Sequence, residues 1–413
     1  MGARAARRRP RGPGPRRARA PGAAPVTDRA RGGVGGHFGA SHVKFYTTVG
    51  ARCGIADYSA ALLPALCAHV AVETVVLRPN RLNPFALALD ARRLSAADVA
   101  HVQHTYSFFG VDQLTYTLAW RLLRAAIRAP LVITAHTVRP PGPARYDGGL
   151  GAALANAVGA PAWHDVETFR RAEAVIVHAS LHRDRLLARG VSPDRCVVVA
   201  PPVPPRVLVD AAAVKTFRDR YRLGTRPVVG VFGFVERSKR FALVLDALAE
   251  LPRADAPVLL VAGGPRLTEH DEVLAGVRAD AARAGLADRL VVTGYLPPAD
   301  VPVALETMDV VVVPYATEDS VSYSLHVALA QGRPVVATAL APLCELQQRG
   351  GCLALVQPDD ARDLAKTLGT LLDDPGARGR LAQAARAYAR ASSADVAARR
   401  TVEVYAHARE VRR

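Results

Sequence analysis

Lysine is rare in this sequence. Four lysines (Lys44, Lys215, Lys239, Lys366) stand among 54 basic side chains, and the rest are arginines in an alanine-rich chain. That bias towards GC-rich codons makes a single arginine uninformative and a retained lysine informative. Lys239 lies in Gly233-Phe-Val-Glu-Arg-Ser-Lys-Arg240, after an apolar run and before a helical pattern starting near Phe241. Arg237, Lys239 and Arg240 thus meet at a helix start, where the macrodipole disfavours cations unless an anion joins them. The spacing predicts a phosphate site; the alternative is a solvated loop. A second segment, Thr317-Glu-Asp-Ser-Val-Ser-Tyr-Ser-Leu-His-Val-Ala328, offers two acids, Glu318 and Asp319. Hydroxyls and amides of Ser320, Val321, Ser322 and Tyr323 follow and run into a helix. Carboxylates suit sugar-type hydroxyls and helix-start amides suit phosphate oxygens; the plainer reading makes Ser320 or Ser322 a helix cap. His104 and His136 each close an apolar run, which places both at strand ends facing a cleft, where an imidazole can exchange protons or stay neutral. Either is equally an ordinary structural histidine. Gly50, Arg52 and Gly54 form a glycine-bearing turn after the first run, a second anion site or only a turn. Gly263-Gly264 and Gly294-Tyr295-Leu296 end later runs and contour a nucleotide pocket or simply turn the chain.

These loops need a scaffold that gathers them. Short β-branched runs alternate with longer Ala/Leu helical patterns, which signals α/β architecture with parallel sheets. The first series is His42–Thr48, Val72–Leu77, Asp98–Gln103, Leu131–Ala135, Ala174–Val177 and Cys196–Ala200. The second is Pro227–Phe232, Pro257–Ala262, Leu290–Val292, Asp309–Val313, Pro334–Ala337 and Cys352–Val356. Between them Pro201-Pro-Val-Pro-Pro205 cannot continue a sheet or a helix, and a polar helix spans about 210–222. The economical reading is two doubly wound, Rossmann-like parallel-sheet domains facing across a cleft. Their bounds are 39–205 and 226–393, with a linker at 206–225 and a last helix, about 394–413, joined to the first domain. Ligands of open parallel sheets sit beyond the carboxyl ends of the strands, where the candidate loops fall.

The chain has 413 residues, half of them hydrophobic, enough for large cores. Its net charge is +17, and residues 1–31 hold ten arginines against Asp28 alone, so the remainder carries only +8. Residues 1–38 read as a disordered basic leader of Arg, Pro, Gly and Ala, or an over-extended start of the reading frame. They lack the apolar core of a secretion signal. Five scattered cysteines (53, 67, 196, 344, 352) without a CxxC suit a reducing cytoplasm and no zinc site. The longest apolar stretch, Ala61–Leu77, is broken by Pro64, His69 and Glu73, so no segment reads as a bilayer span.

In this order the residues resemble retaining glycosyltransferases of the glycosyltransferase B (GT-B) fold, family 4, over about 43–405. The matching segments are Cys53-Gly-Ile-Ala-Asp-Tyr58, Val102-Gln-His104, Thr134-Ala-His136, Ala174-Val-Ile-Val-His178, Gly233 through Lys239, Gly294-Tyr-Leu-Pro297 and Ala330-Gln-Gly-Arg-Pro-Val-Val336. The resemblance implies a nucleotide-diphosphate-sugar donor held by the second domain and transfer with retention. The acceptor, a glycan, a lipid-linked glycan or a small molecule, is held by the first. It implies acceptors often met at the inner membrane face in polysaccharide synthesis; no acidic cluster has metal-binding spacing, so neither a metal nor another cofactor is expected. Lys239 takes the place of the family's diphosphate lysine and His136 that of a catalytic residue. Phe234 stands where an arginine usually follows the glycine, leaving Arg237 or Arg240 to substitute. Counting back from Gly332-Arg-Pro334, the family's Glu-x7-Glu element falls on Asp319 (or Glu318, one residue earlier) and Val327. The first carboxylate meets sugar hydroxyls; the second holds the ribose diol, which Val327 cannot do, and the adjacent His326 points elsewhere on a helix. The alternatives are a catalytically impaired sugar- or nucleotide-binding protein, a GT-B-fold epimerase, or a phosphorylase, which Lys366 in its plain helical setting does not suit. Nucleic acid is not an expected partner; a binder using the arginine leader would lose its salt-dependent affinity when 1–36 are removed.

Overall fold

The computed structural model describes residues 41–80, 82–251, 256–265 and 271–413, so the arginine-rich leader lies outside the described residues. All twelve apolar runs form strands, with ends shifted by two residues or fewer. The first sheet holds β1 (His42–Thr47), β2 (Ala71–Val76), β3 (Val99–His104), β4 (Leu131–Ala135), β5 (Ala174–Val177) and β6 (Cys196–Val198). Its order is β2-β1-β3-β4-β5-β6, parallel throughout. The second sheet holds β7 (Val228–Phe232), β8 (Val258–Ala262), β9 (Leu290–Val292), β10 (Val310–Val313), β11 (Val335–Thr338) and β12 (Leu353–Val356), ordered β12-β11-β10-β7-β8-β9 and also parallel. Interior strands such as β4, β8 and β10 are buried along their whole length because helices cover both faces. Edge strand β2 is exposed at most positions and carries Glu73, which pairs with Lys44 of β1.

In each sheet the winding direction reverses once, between β1 and β3 and between β7 and β10. Parallel strands splay their loops apart at such a point and open a crevice. In the second sheet the flanking loops are those carrying Lys239 and residues 314–322.

The proline-rich break pairs with the chain's far end: Val203 N donates to Ser392 O at 3.0 Å. The last stretch forms two helices, Pro375–Ala391 and Ala394–Arg412, split at Ser392–Ser393, where the Ser393 side chain caps the second. The second helix packs Ala397, Ala398, Val404, Tyr405 and Ala408 into one core with Val43, Phe45, Leu62 and Leu66 of the first lobe. No helix among the described residues is long and apolar enough to cross a membrane.

The lobes are latched directly. From the helix Ser180–Leu187, Arg185 Nη1 donates to Asp319 Oδ1 at 3.1 Å and Val138 O at 2.8 Å, and Nη2 lies 3.6 Å from Glu318 Oε2. His182 Nε2 donates to Glu318 O (2.7 Å), Val138 N to Asp319 O (2.8 Å), and Ser180 N and Oγ to the Glu345 carboxylate (2.7 and 2.9 Å). Arg185 is only 14% exposed, so its pairing is less screened than a surface ion pair. Arg185→Ala leaves Glu318 and Asp319 without this cation and is expected to lower unfolding free energy by about 1–3 kcal/mol. Urea unfolding checks this; an unchanged midpoint would show that the latch contributes nothing.

Candidate functional site

A cavity of about 520 Å³ lies between the carboxyl ends of the two sheets, within the range of small-molecule sites. Its second-lobe wall begins where β7 stops. Gly233 turns with φ +104°, and its N–H donates to Ala262 O while Val235 N donates to Gly264 O (3.1 and 3.0 Å), folding this loop onto the one after β8. The approach allows glycine only. A Cβ on Gly263 would stand 2.0 Å from Gly233 O, and one on Gly233 would stand 2.7 Å from Lys239 Nζ.

The single 3₁₀ turn Arg237–Lys239 aims Lys239 back under β7, where Nζ donates to Phe232 O at 2.6 Å with the residue only 6% exposed. Burial pulls its pKa down to about 8, opposed by the nearby Glu236 carboxylate. The expected trio of cations is not brought together. Arg237 is 79% exposed and pairs with Glu272 at 2.8 Å, and Arg240, in a left-handed conformation, pairs with Asp359. Neither lines the cavity. The reason is geometric: successive side chains of a 3₁₀ turn lie about 120° apart and those three apart eclipse, so Arg237 and Arg240 point away from the direction that Lys239 takes.

Ala316 N donates to Ser238 O at 3.2 Å, tying the loops on both sides of the crevice. Ser320, Val321, Ser322 and Tyr323 line the cavity at the start of the helix Tyr323–Ala330, which Ser322 caps through Leu325 N at 3.4 Å. Tyr315 OH joins Ser322 Oγ and Ser324 Oγ at 2.5 and 3.0 Å. Glu318 and Asp319, expected to meet sugar hydroxyls, are instead drawn to Arg185, and Glu318 Oε1 also accepts from Ala341 N at 2.7 Å. Val327 lines the cavity with a branched apolar side chain. Gly263, Gly264, Tyr295 and Leu296 line it as well, and Arg52 lies over the Tyr295 ring at 4.5 Å without itself being a wall residue.

On the first lobe, Gly54 and the first turn of the helix Gly54–Cys67 form the wall, with Asp57 and Tyr58; Gly50 is exposed outside it. His136 lines the cavity, its Nε2 donating to Gln103 Oε1 at 2.8 Å. Gln103 Nε2 donates in turn to His101 Nε2 (3.0 Å), and His101 Nδ1 to Tyr405 OH (2.7 Å). The Gln103 carbonyl oxygen thereby places the proton of His136 on Nε2, and the last helix buttresses Gln103 through His101. Burial, then the neighbouring His178, hold the His136 pKa well below the usual histidine value, so its imidazole is neutral.

His104 does not reach the cleft. It is fully buried against Tyr106, Phe109, Tyr116, Trp120 and Phe169, with Nε2 bonded to Tyr116 OH at 3.1 Å. Side chains alternate along a strand. His104 therefore shares the face of Ala100 and Val102, whereas Gln103 shares that of His101. The residue that does join His136 is His178, directly after β5, with ring centroids 5.4 Å apart. It ends a strand just as His104 and His136 do, so the same criterion selects it. Glu236, Tyr315, Asp57 and Tyr58 also line the cavity, although composition and spacing single out none of them.

Residues 226–374, which span the second sheet, match the family model described as Glycosyl transferases group 1. The second lobe is thus similar to the glycosyl transferases group 1 family. It is similar to 2-deoxystreptamine glucosyltransferase of Streptomyces kanamyceticus, 30% identical over 212 residues, or 50% of this chain and 53% of that protein. The chain thus spans about half the length of that relative. A D-inositol 3-phosphate glycosyltransferase of Nocardioides sp. is 28% identical over 351 residues, covering 80% of this chain and 72% of its own. Among solved structures, Anabaena HepE in complex with UDP and glucose superposes with a TM-score of 0.67 at 17% identity, covering 88% of this chain and 98% of that one. The two facing six-stranded parallel sheets are the GT-B architecture.

The packing around His104 assigns it to the core of the first lobe. His104→Phe is expected to cost about 1–3 kcal/mol, as overpacking of a core does, and to keep ligand binding within twofold of the parent. Thermal unfolding and nucleotide titration check both; a selective loss of binding would return His104 to the site.

Proposed function

We propose that the chain transfers a glycosyl group from a nucleoside-diphosphate sugar to a hydroxyl of a ring polyol acceptor, with retention and without a resident metal ion. One observation carries the reading: a buried lysine ammonium lies at the switch point of a group 1 domain, on the wall of the interlobe cavity. Breaking a glycosyl–phosphate bond develops negative charge on the departing diphosphate. Lys239 and the amides at the start of the helix Tyr323–Ala330 are fixed donors whose interaction strengthens as that charge grows. They supply the electrostatic stabilisation that a divalent ion gives elsewhere. The low pKa of His136 keeps it a neutral hydrogen-bonding group beside the sugar rather than a cation competing for the leaving group.

Resemblance to family 4 supports retention, in which the acceptor attacks from the face the diphosphate leaves and the diphosphate oxygen takes the acceptor proton. HepE's complex with UDP and glucose makes UDP-sugars the first donors to test. The two relatives act, by their names, on an aminocyclitol and on an inositol phosphate, which supports a cyclic polyol as acceptor. Val327 places methyl groups where the family's ribose-binding carboxylate falls, so ribose recognition here rests on other wall groups.

Chromatographic assay of UDP release from UDP-sugars tests the whole reading. Lys239→Ala is expected to reduce turnover at least about a hundredfold with the fold intact. In the unliganded enzyme a pKa of about 8 means that Lys239 loses its charge as pH rises through that value. kcat/KM for donor should therefore fall above pH about 8, and Lys239→Arg should remove that limb; a flat alkaline profile in the parent would show that the ammonium is not needed. His136→Ala is expected to lower kcat by about tenfold or more while UDP affinity changes less than twofold; equal turnover would make His136 structural.

A further inference from the structure

The first-lobe wall has its own charge pattern, and this inference rests on the glycosyltransferase reading only in taking that wall as the acceptor side. Among the described residues lining it, Asp57 alone carries a formal charge. Among the described residues no cation lies within ion-pair distance of Asp57, which is an exposed residue of the wall, and partial burial of its carboxyl raises its pKa. Its place in the first turn of the helix Gly54–Cys67 still favours the anion. The cavity therefore presents a carboxylate without a counter-ion.

His178 gives an independent indication. Its residue is 8% exposed, and Nδ1 donates to Val199 O at 2.8 Å, which fixes the proton on that nitrogen. Nε2 is then a lone-pair acceptor, and it has no partner. A buried acceptor without a donor is costly, and here the ring lines the cavity beside His136 and Tyr58. Burial holds the ring neutral, with a pKa pulled down to about 4. Nε2 can accept from a hydroxyl or ammonium but offers nothing to a phosphate. Arg52, in the loop before the helix, is spread over Tyr295, and Lys239 belongs to the opposite wall.

We infer that the first-lobe wall recognises a ring polyol bearing an ammonium group, an amino sugar or aminocyclitol, with Asp57 pairing the ammonium and His178 Nε2 accepting from a neighbouring donor, and that it disfavours phosphorylated polyols. A carboxylate facing a phosphate dianion repels it, and no wall cation of this lobe offsets that. The same carboxylate facing an ammonium forms a charge-assisted hydrogen bond in a partly desolvated site.

The test is calorimetric titration of the full chain with glucosamine, glucose and glucose 6-phosphate, at a pH where the amine is protonated, each with and without saturating UDP. Glucosamine is expected to bind about tenfold or more tightly than glucose, and glucose 6-phosphate more weakly than either. The near-isosteric Asp57→Asn should bring glucosamine to within about twofold of glucose. His178→Phe should weaken both neutral and amino probes, with His178→Gln, which restores an acceptor, recovering part of the loss. Glucose 6-phosphate binding as tightly as glucosamine, an unchanged glucosamine-to-glucose ratio in Asp57→Asn, or no response to glucosamine would each overturn the inference. UDP titration of the parent is read separately. Absence of UDP binding would count against the donor reading, while the glucosamine-to-glucose ratio would still decide this one.

Discussion

A buried ammonium is costly unless its hydrogens find acceptors, and Lys239 holds one against the carbonyl that ends β7. Much of the second lobe's local form follows from making that position accessible from the cavity and inaccessible to bulk water. Phe232 must end its strand so that its carbonyl is spare, Gly233 must turn where a side chain would meet Nζ, and Gly263 must lack a Cβ to lie against Gly233. Glu236 supplies long-range compensation without occupying the ammonium, which keeps donor capacity for a ligand. A lysine whose charge is this weakly compensated gains the most from a diphosphate arriving beside it.

The scaffold was legible because it is written in local patterns. Near-continuous β-branched runs, glycines after strands and a proline break all act within a few residues, and each produced the element expected of it. The site was less legible because it depends on which face of each strand a residue occupies. His104, His136 and His178 all stand at strand ends, yet the two that reach the cavity lie on the sheet face shared by Tyr58 and Tyr405, and His104 lies on the other. Counting alternation back from Val102 and Gln103 assigns these faces, so the information was present in the sequence. The arginines were harder: no spacing distinguishes Lys239 from Arg237 and Arg240 without the 3₁₀ turn, and their partners Glu272 and Asp359 are distant in sequence.

Glu318 and Asp319 show how a motif position can be put to another use. By count they fall where the family places its sugar-contacting carboxylate, but here Arg185 from the other lobe draws both, with Val138 and His182 holding the backbone between them. The segment that continues into the helix start on the cavity wall is therefore pinned to the first lobe. Any opening of the cleft must disturb that segment, so closure of the lobes and readiness of Ser320–Tyr323 become one event. Such coupling has no sequence signature, since an arginine 134 positions away provides it.

The polar relay behind His136 has the same character. Tyr405 belongs to the helix that returns from the far end of the chain and bonds His101, which holds Gln103, whose carbonyl oxygen accepts from Nε2 of His136. A neutral histidine of fixed tautomer on one wall and a cation on the other divide the cavity electrically. A ligand with a strongly anionic end and an uncharged end is thereby oriented before any contact to its sugar is made. The unpaired carboxylate of Asp57 sharpens the division, because a diphosphate in the reversed orientation would face an anion instead of an ammonium. Orientation thus follows from where the fold places its charges: Lys239 with Glu236 on the second-lobe wall and Asp57 on the first, with neutral rings between them.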